Sequence, residues 1–113
     1  MSRSDANAKA AAKLYLEMRR YHIIEQNWRR SKQQIDIVAK KNETIYLVTV
    51  HYYPDSLAHS ARVQALSATR LQQLQQAAES WAIETKWSGP YQLAAVEIGD
   101  PGFAVISFTD KLS

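Results

Sequence analysis

The 113-residue chain contains no cysteine. Disulfide bonds and thiolate metal sites are therefore excluded, and nothing in the composition points to secretion. No apolar run approaches the ~20 residues that span a bilayer, and the first residues lack the layout of a signal peptide. We therefore expect a cytoplasmic protein with no membrane partner.

Clusters of metal-binding residues are also missing. The three histidines, His22, His51 and His59, form no His-x₃-His pair, and no carboxylate-rich cluster accompanies them. A zinc-hydrolase site is therefore not expected, and we interpret His22 and His59 as surface residues. Repeats and long linkers are absent too. With 46% apolar residues, the chain predicts one compact domain over residues 1–113.

Acidic residues are scarce in the first 41 positions. These positions hold ten Lys and Arg against four Asp and Glu, a net charge of +6, whereas the remainder holds four against seven, a net −3. Such asymmetry is typical of a protein with an anionic partner. A merely solvated basic helix face is the alternative, and charge alone leaves both open.

The hydrophobic periods predict two helices. Ser4 or Asp5 can cap the first, which runs to about Arg20, and Ser67 caps the second, which reaches about Glu84. A further helical turn is possible around His59–Gln64. The glutamines of the second helix are expected on its solvated flank; they are Gln72, Gln73, Gln75 and Gln76.

Alternating segments predict five strands, separated by turn residues. They are Tyr21–Trp28, Ile35–Lys40, Thr44–Tyr52, Tyr91–Ile98 and Phe103–Phe108, with a break at Pro54-Asp55-Ser56 after the third. The third and fourth strands, joined through a helix, should be parallel neighbours. The order α-β-β-β-α-β-β therefore predicts an α/β sandwich with a mixed central sheet.

The hairpin Ile35–Tyr53 carries oddly placed polar residues. Asp36 lies between two isoleucines, and Thr49 and His51 lie two apart near the end of the following strand. The two-residue period of a strand puts Thr49 and His51 on one face, where Asp36 can join them across the hairpin.

Three segments carry a resemblance to a known family. They read AKLYLEMRRYHIIEQNWR (Ala12–Arg29), QQIDIVAKKNETIYLVTVHYY (Gln33–Tyr53) and TRLQQLQQAAESW (Thr69–Trp81). In order, they resemble the opening helix and first strand, the hairpin and the next helix of the YraN-like family. That family of small bacterial proteins belongs to the restriction-endonuclease-like (PD-(D/E)xK) superfamily. The resemblance implies a restriction-endonuclease-like fold and metal-dependent nucleic-acid chemistry.

Carried over by resemblance, most of the family's motif positions are substituted. The Asp after the first motif Glu is kept as Asp36, whereas Lys9 and Gln34 stand where the family has Glu. On the next strand, Thr49 and His51 replace a Glu and a Lys, and Tyr53 replaces an Arg. Further along, Arg70 replaces a Lys and Gln92 roughly replaces an Asp.

These substitutions remove the chemistry that the resemblance implies. Mg²⁺ needs hard anionic oxygens, and Asp36 is the one residual metal ligand. Lys9, if it points inward, opposes a cation, and His51 suits softer metals. We therefore expect a catalytically inactive protein without a cofactor, in which Gln34, Asp36, Thr49 and His51 are residual motif positions.

Loss of carboxylates does not harm binding to nucleic acid, so we expect DNA or RNA as the partner. The candidate phosphate-binding residues are Lys9, Arg19, Arg20, Arg29, Arg30, Lys32, Arg62 and Arg70. Two alternatives stay open. One is an active nuclease that uses Mg²⁺ or Mn²⁺ at a site rearranged around Asp36 and His51, with Glu25 or Glu43 as a migrated carboxylate. The other is a protein-interaction module, including a homodimer formed through a sheet edge or helix face.

Overall fold

The computed structural model describes residues 3–53, 67–100 and 102–112. These residues form two helices and five strands in the predicted order. The elements are α1 (Arg3–Met18), β1 (His22–Arg30), β2 (Gln33–Lys41), β3 (Thr44–Tyr53), α2 (Ala68–Thr85), β4 (Tyr91–Gly99) and β5 (Ala104–Thr109).

The five strands form one mixed sheet in the order β1-β2-β3-β4-β5. β3 and β4 are parallel, as the intervening helix requires, and the other neighbours are antiparallel. The predicted α-β-β-β-α-β-β sandwich with a mixed central sheet is therefore confirmed.

Each helix buries an apolar stripe against its own face of the sheet. Ala8, Ala12 and Leu16 of α1 pack against a core that includes Val48, whereas Leu47 faces the core beneath α2. The alanines of α1 allow that helix to approach the sheet closely. Burial of a side chain such as Leu16, which is fully inaccessible, contributes on the order of 2 kcal/mol.

The ends of α1 differ from the prediction. The helix begins at Arg3, so Ser4 and Asp5 lie inside its first turn and neither is the N-cap. It ends at Met18 because Arg20 adopts a left-handed conformation with φ 72°. The Tyr21 N–H then donates to the Leu16 carbonyl at 2.9 Å, which is a common way for a helix to end.

Other boundaries shift by one or two residues. β1 continues to Arg30 and β2 begins at Gln33, because a tight turn at Ser31, with φ 58°, lets the hairpin pair closer to its tip than expected. Phe103, expected to open the last strand, has φ 55° and belongs to the turn before Ala104. The Ser67 cap of α2 is confirmed, since its hydroxyl accepts from Arg70 N. The break at Pro54 and the helical turn around His59–Gln64 lie outside the described residues.

The candidate site lies where β2 and β3 separate. The β2–β3 ladder stops at Ile37 opposite Val48, although β2 stays paired with β1 as far as Gln33. Ile35 and Ile37, two residues apart, pack in opposite cores, so the strand alternation is broken at the intervening Asp36. β2 therefore turns away from β3, and a groove opens between them beside α2.

Candidate functional site

The groove has a volume of about 420 Å³ and a predominantly polar lining. Its walls come from the tip of the β1–β2 hairpin, the end of β3 and the first turns of α2. The lining residues are Lys32, Gln33, Gln34, Asp36, Thr49, Arg70, Gln73, Leu74 and Gln76.

Asp36 occupies the point at which β2 and β3 separate, and only 8% of it is exposed. One carboxylate oxygen accepts from the backbone N–H of Val50 at 2.7 Å and faces the Thr49 hydroxyl at 3.4 Å. The other accepts from the side-chain amide of Gln34 at 2.8 Å. The carboxylate thus satisfies a β3 N–H that the interrupted ladder would leave without a partner.

Lys9 approaches Asp36 from α1. Its Nζ lies 3.3 Å from Asp36 Oδ1 and donates to Asn27 Oδ1 at 2.9 Å. The Lys9 side chain is only 15% exposed, so it does point inward. The Lys9 ammonium group therefore lies where a bound cation would lie, and its charge balances that of Asp36, the one motif carboxylate.

His51 lies next to the groove rather than in contact with Asp36. An Arg70 Nη1–H points at His51 Nδ1 over 3.4 Å, which assigns the proton of the neutral ring to Nε2. Burial lowers the pKa of His51, and the Arg70 guanidinium lowers it further, while Asp36 opposes them. His51 is therefore a neutral side chain near pH 7.

Glu97 is a carboxylate that the sequence interpretation missed. It lies opposite His51 in the β3–β4 ladder, and Tyr53 OH donates to its Oε2 at 3.2 Å. Burial raises the pKa of Glu97. The strand register could have revealed it, because it pairs β4 with the strand that carries the motif. Glu25 and Glu43, the carboxylates considered earlier, have no described contact with Asp36 or His51.

The predicted motif positions converge only in part. Gln34, Asp36, Thr49 and Lys9 meet in one set of contacts, whereas His51 contacts Arg70, which lines the same groove. Gln92 instead pairs with Tyr46, three residues before Thr49 along β3. Within residues 3–53, 67–100 and 102–112, no three His, Cys, Asp or Glu side chains are grouped closely enough to hold one metal ion.

The predicted phosphate-binding residues are dispersed. Lys32 and Arg70 line the groove, whereas Lys9 is paired with Asp36. Arg30 forms an ion pair with Glu84 at 2.9 Å, and Arg29 is exposed opposite Gln34. Arg19 stacks on Tyr15 and adjoins Arg20 at the other end of β1 from the groove. Arg62 lies outside the described residues.

Gln72, Gln73 and Gln76 of α2 are exposed, as predicted for a solvated flank, and two of them also line the groove. Gln73, Gln76 and the buried Leu74 line the groove together with Gln33 and Gln34 of the hairpin. The helical spacing of the α2 glutamines predicts a position outside the apolar stripe, and only the location of α2 over the separated strands shows that two of them line the groove.

The fold and groove define a small α/β protein with a single, ammonium-paired carboxylate where β2 and β3 separate. The chain belongs to the uncharacterised protein family UPF0102, whose model matches residues 8–107. The expected YraN-like relationship is thereby confirmed.

Individual relatives agree with this assignment. A UPF0102 protein of Geobacter metallireducens is 34% identical over 82 residues, covering 67% of this chain and 62% of the relative. One from Methylocella silvestris is 31% identical over 96 residues, covering 85% and 72%. One from Arthrobacter sp. is 33% identical over 67 residues, covering 59% and 56%. The match thus spans about six tenths of the length of the first of these relatives.

Neither described helix is long and apolar enough to cross a bilayer.

Proposed function

We propose that this chain is a catalytically silent member of the restriction-endonuclease-like superfamily, and that it binds nucleic acid through the groove between β2 and β3. The observation that carries the proposal is the Lys9–Asp36 ion pair beside a groove whose other charged residues, within the described part of the chain, are the basic Lys32 and Arg70.

The ion pair accounts for the loss of hydrolysis. A divalent metal that activates phosphodiester cleavage needs several hard anionic oxygens around it. Among the described residues, Asp36 is the only carboxylate that lines the groove, and an ammonium ion already neutralises it at 3.3 Å. A metal would have to displace Lys9, and the remaining ligands, Gln34 and Thr49, are neutral.

The same pair favours binding of a phosphate backbone. Because Lys9 balances Asp36, and no described acidic residue forms an ion pair with Lys32 or Arg70, these two residues give the groove a net positive charge. Two cations on opposite walls attract a polyanion and release its counterions, which stabilises the complex at low salt. Arg70 also offers a planar donor group suited to phosphate oxygens.

The proposed interface is narrower than the basic N-terminal half of the sequence. Arg30 is engaged by Glu84, and Arg19 and Arg20 precede the far end of β1, a strand of nine residues that spans about 26 Å at ~3.3 Å per residue. We therefore assign binding to Lys32 and Arg70 and give Arg19, Arg20 and Arg30 no direct part.

A titration that follows binding and cleavage together tests the proposal. Labelled single-stranded, duplex and branched DNA and RNA are titrated with protein in Mg²⁺, in Mn²⁺ and in EDTA, and the strands are then examined for cuts. We expect salt-sensitive binding to at least one of them, with the same affinity in EDTA and with intact strands.

Two results would refute it. Flat titrations at low salt would remove nucleic-acid binding. Metal-dependent cleavage that Asp36→Ala abolishes would show that the site is active, and the rearranged nuclease would then be the correct interpretation.

A further inference from the structure

We infer that the groove takes an unpaired nucleotide and contacts its base as well as its phosphate, so that the ligand is a single strand. This inference rests on the proposed nucleic-acid binding and specifies which form of nucleic acid the groove recognises.

Side-chain amides carry the inference. Gln33, Gln73 and Gln76 line the groove, and none of them has a side-chain hydrogen-bond partner among the described residues. Gln34 differs, since its amide donates to Asp36. Three carboxamides are therefore available to a ligand.

The chemistry of a carboxamide fits a base better than a phosphate. Each amide presents an NH₂ donor beside a carbonyl acceptor. Phosphate oxygens only accept, so a backbone alone would leave the three carbonyl oxygens unmatched. The edge of a nucleobase offers donors and acceptors side by side, and glutamine pairs with such an edge through two hydrogen bonds.

The shape of the groove favours an unpaired base. Its volume of about 420 Å³ is in the range of a site for one small ligand. Leu74, which is 6% exposed, adds a small apolar patch to the lining, which a base can contact. The bases of a duplex are stacked between two backbones, whereas those of a single strand can turn outward into such a site.

The basic residues and the amides are expected to contact different parts of the nucleotide. Lys32 on the hairpin tip and Arg70 on α2 are the phosphate ligands, and the amides between them are placed for the base. Sequence tolerance is expected to be broad, because an exposed amide can rotate to present either its donor or its acceptor.

Abasic strands provide the test. A single-stranded oligonucleotide and a tetrahydrofuran abasic strand of the same length are titrated by anisotropy, together with a duplex, at one low salt concentration. DNA and RNA versions of the base-bearing strand are run in parallel. The proteins are the wild type, the double variant Gln73→Ala/Gln76→Ala and the control Gln72→Ala. Gln72 is exposed on the same helix but does not line the groove, and alanine preserves the helix at all three positions.

We expect the wild type to bind the base-bearing strand at least ~10-fold more tightly than the abasic strand, with each amide worth about threefold to tenfold. The double variant should lose most of that preference, keeping only the part that Gln33 supplies, without weaker binding to the abasic strand, and Gln72→Ala should match the wild type.

Equal affinity of the wild type for both strands would overturn the inference and leave the proposed function intact. Equal weakening of both strands in the double variant would also overturn it, since the amides would then contact the backbone. No binding to any strand would overturn the inference and the proposed function together.

Discussion

Asp36 receives its partners from three parts of the chain: Gln34 within β2, Thr49 and the Val50 N–H in β3, and Lys9 in α1. A buried carboxylate is tolerated only when donors and a compensating charge surround it. Asp36 accepts from a backbone N–H at the point where two strands separate. This structural role is sufficient to explain the residue without catalysis.

Removal of Lys9 should destabilise the fold. Lys9→Ala leaves a carboxylate that is 8% exposed without its counterion. Loss of one partner of a fully buried pair costs roughly 3–5 kcal/mol. Here three donors remain and Lys9 is partly exposed, so we expect a loss of about 2 kcal/mol in the free energy of unfolding.

Chemical denaturation measures this change. Lys13→Ala is the matched control, because it removes the same charge one turn further along α1 without touching Asp36, and it should cost within about 0.5 kcal/mol. Equal effects of the two variants would show that the ion pair adds nothing to stability.

The pKa of His51 predicts how stability depends on pH. Its folded-state pKa is lowered by burial and by Arg70, so the unfolded chain takes up the proton first, at its ordinary pKa near 6.5. Between the two pKa values the unfolded state holds more protons, so stability should fall as the pH decreases below about 7. It should stop falling below the folded-state pKa.

Thermal unfolding of the wild type and His51→Gln between pH 7.5 and pH 5 isolates this effect. The variant should lose less stability on acidification than the wild type. Glu97, whose pKa is raised, acts in the opposite direction, but both proteins contain it and its contribution cancels. Parallel stability profiles for the wild type and His51→Gln would contradict a lowered pKa of His51 in the folded state.

At the scale of elements, Glu84 joins β1 to the end of α2. It accepts from Trp28 Nε1 at 3.2 Å and from Arg30 at 2.9 Å. Trp28 is 4% exposed, so the indole N–H depends on this carboxylate. The contact holds the β1–β2 hairpin, which forms one wall of the groove, against the helix that forms the other.

Glu84→Ala should therefore lower the free energy of unfolding by about 1 to 2 kcal/mol, since a buried donor loses its acceptor. Glu84→Gln keeps an acceptor for Trp28 and loses only an exposed ion pair, so its effect should be under about 1 kcal/mol. Equilibrium denaturation followed by tryptophan fluorescence distinguishes them. If Glu84→Gln lowered the free energy of unfolding as much as Glu84→Ala, the ion pair with Arg30 would contribute more to stability than the hydrogen bond from Trp28.

Local sequence signals predict the elements well because each depends on neighbouring residues. The alternation from Thr44 to Tyr52 specifies β3, and Ser67 specifies the start of α2. The errors fall where backbone conformation deviates from the ordinary, as at Arg20, Ser31 and Phe103, all of which have positive φ. No residue-type preference announces a left-handed arginine or phenylalanine.

At the scale of the whole molecule, the site is predictable only in part. Alternation brings Thr49 near Asp36, and the resemblance marks Lys9 and Gln34. The roles of Gln73, Gln76 and Glu97 depend on how α2 and β4 lie against β3, which are contacts between distant parts of the chain. The basic residues were grouped by sequence, but β1 carries Arg19 and Arg20 away from Lys32.

The salt dependence of binding tests the central claim most directly. The affinity for a labelled single strand is measured at several salt concentrations for the wild type, Lys32→Ala/Arg70→Ala and Arg19→Ala/Lys111→Ala. The last variant removes the same charge from exposed positions that do not line the groove. Each phosphate contact on a single strand contributes about −0.7 to the slope of log affinity against log salt. Because the groove variant loses two such contacts, its slope should be shallower than that of the wild type by about 1.4. The control variant should keep the wild-type slope. An unchanged slope in the groove variant, or a smaller slope in the control, would contradict binding through the groove.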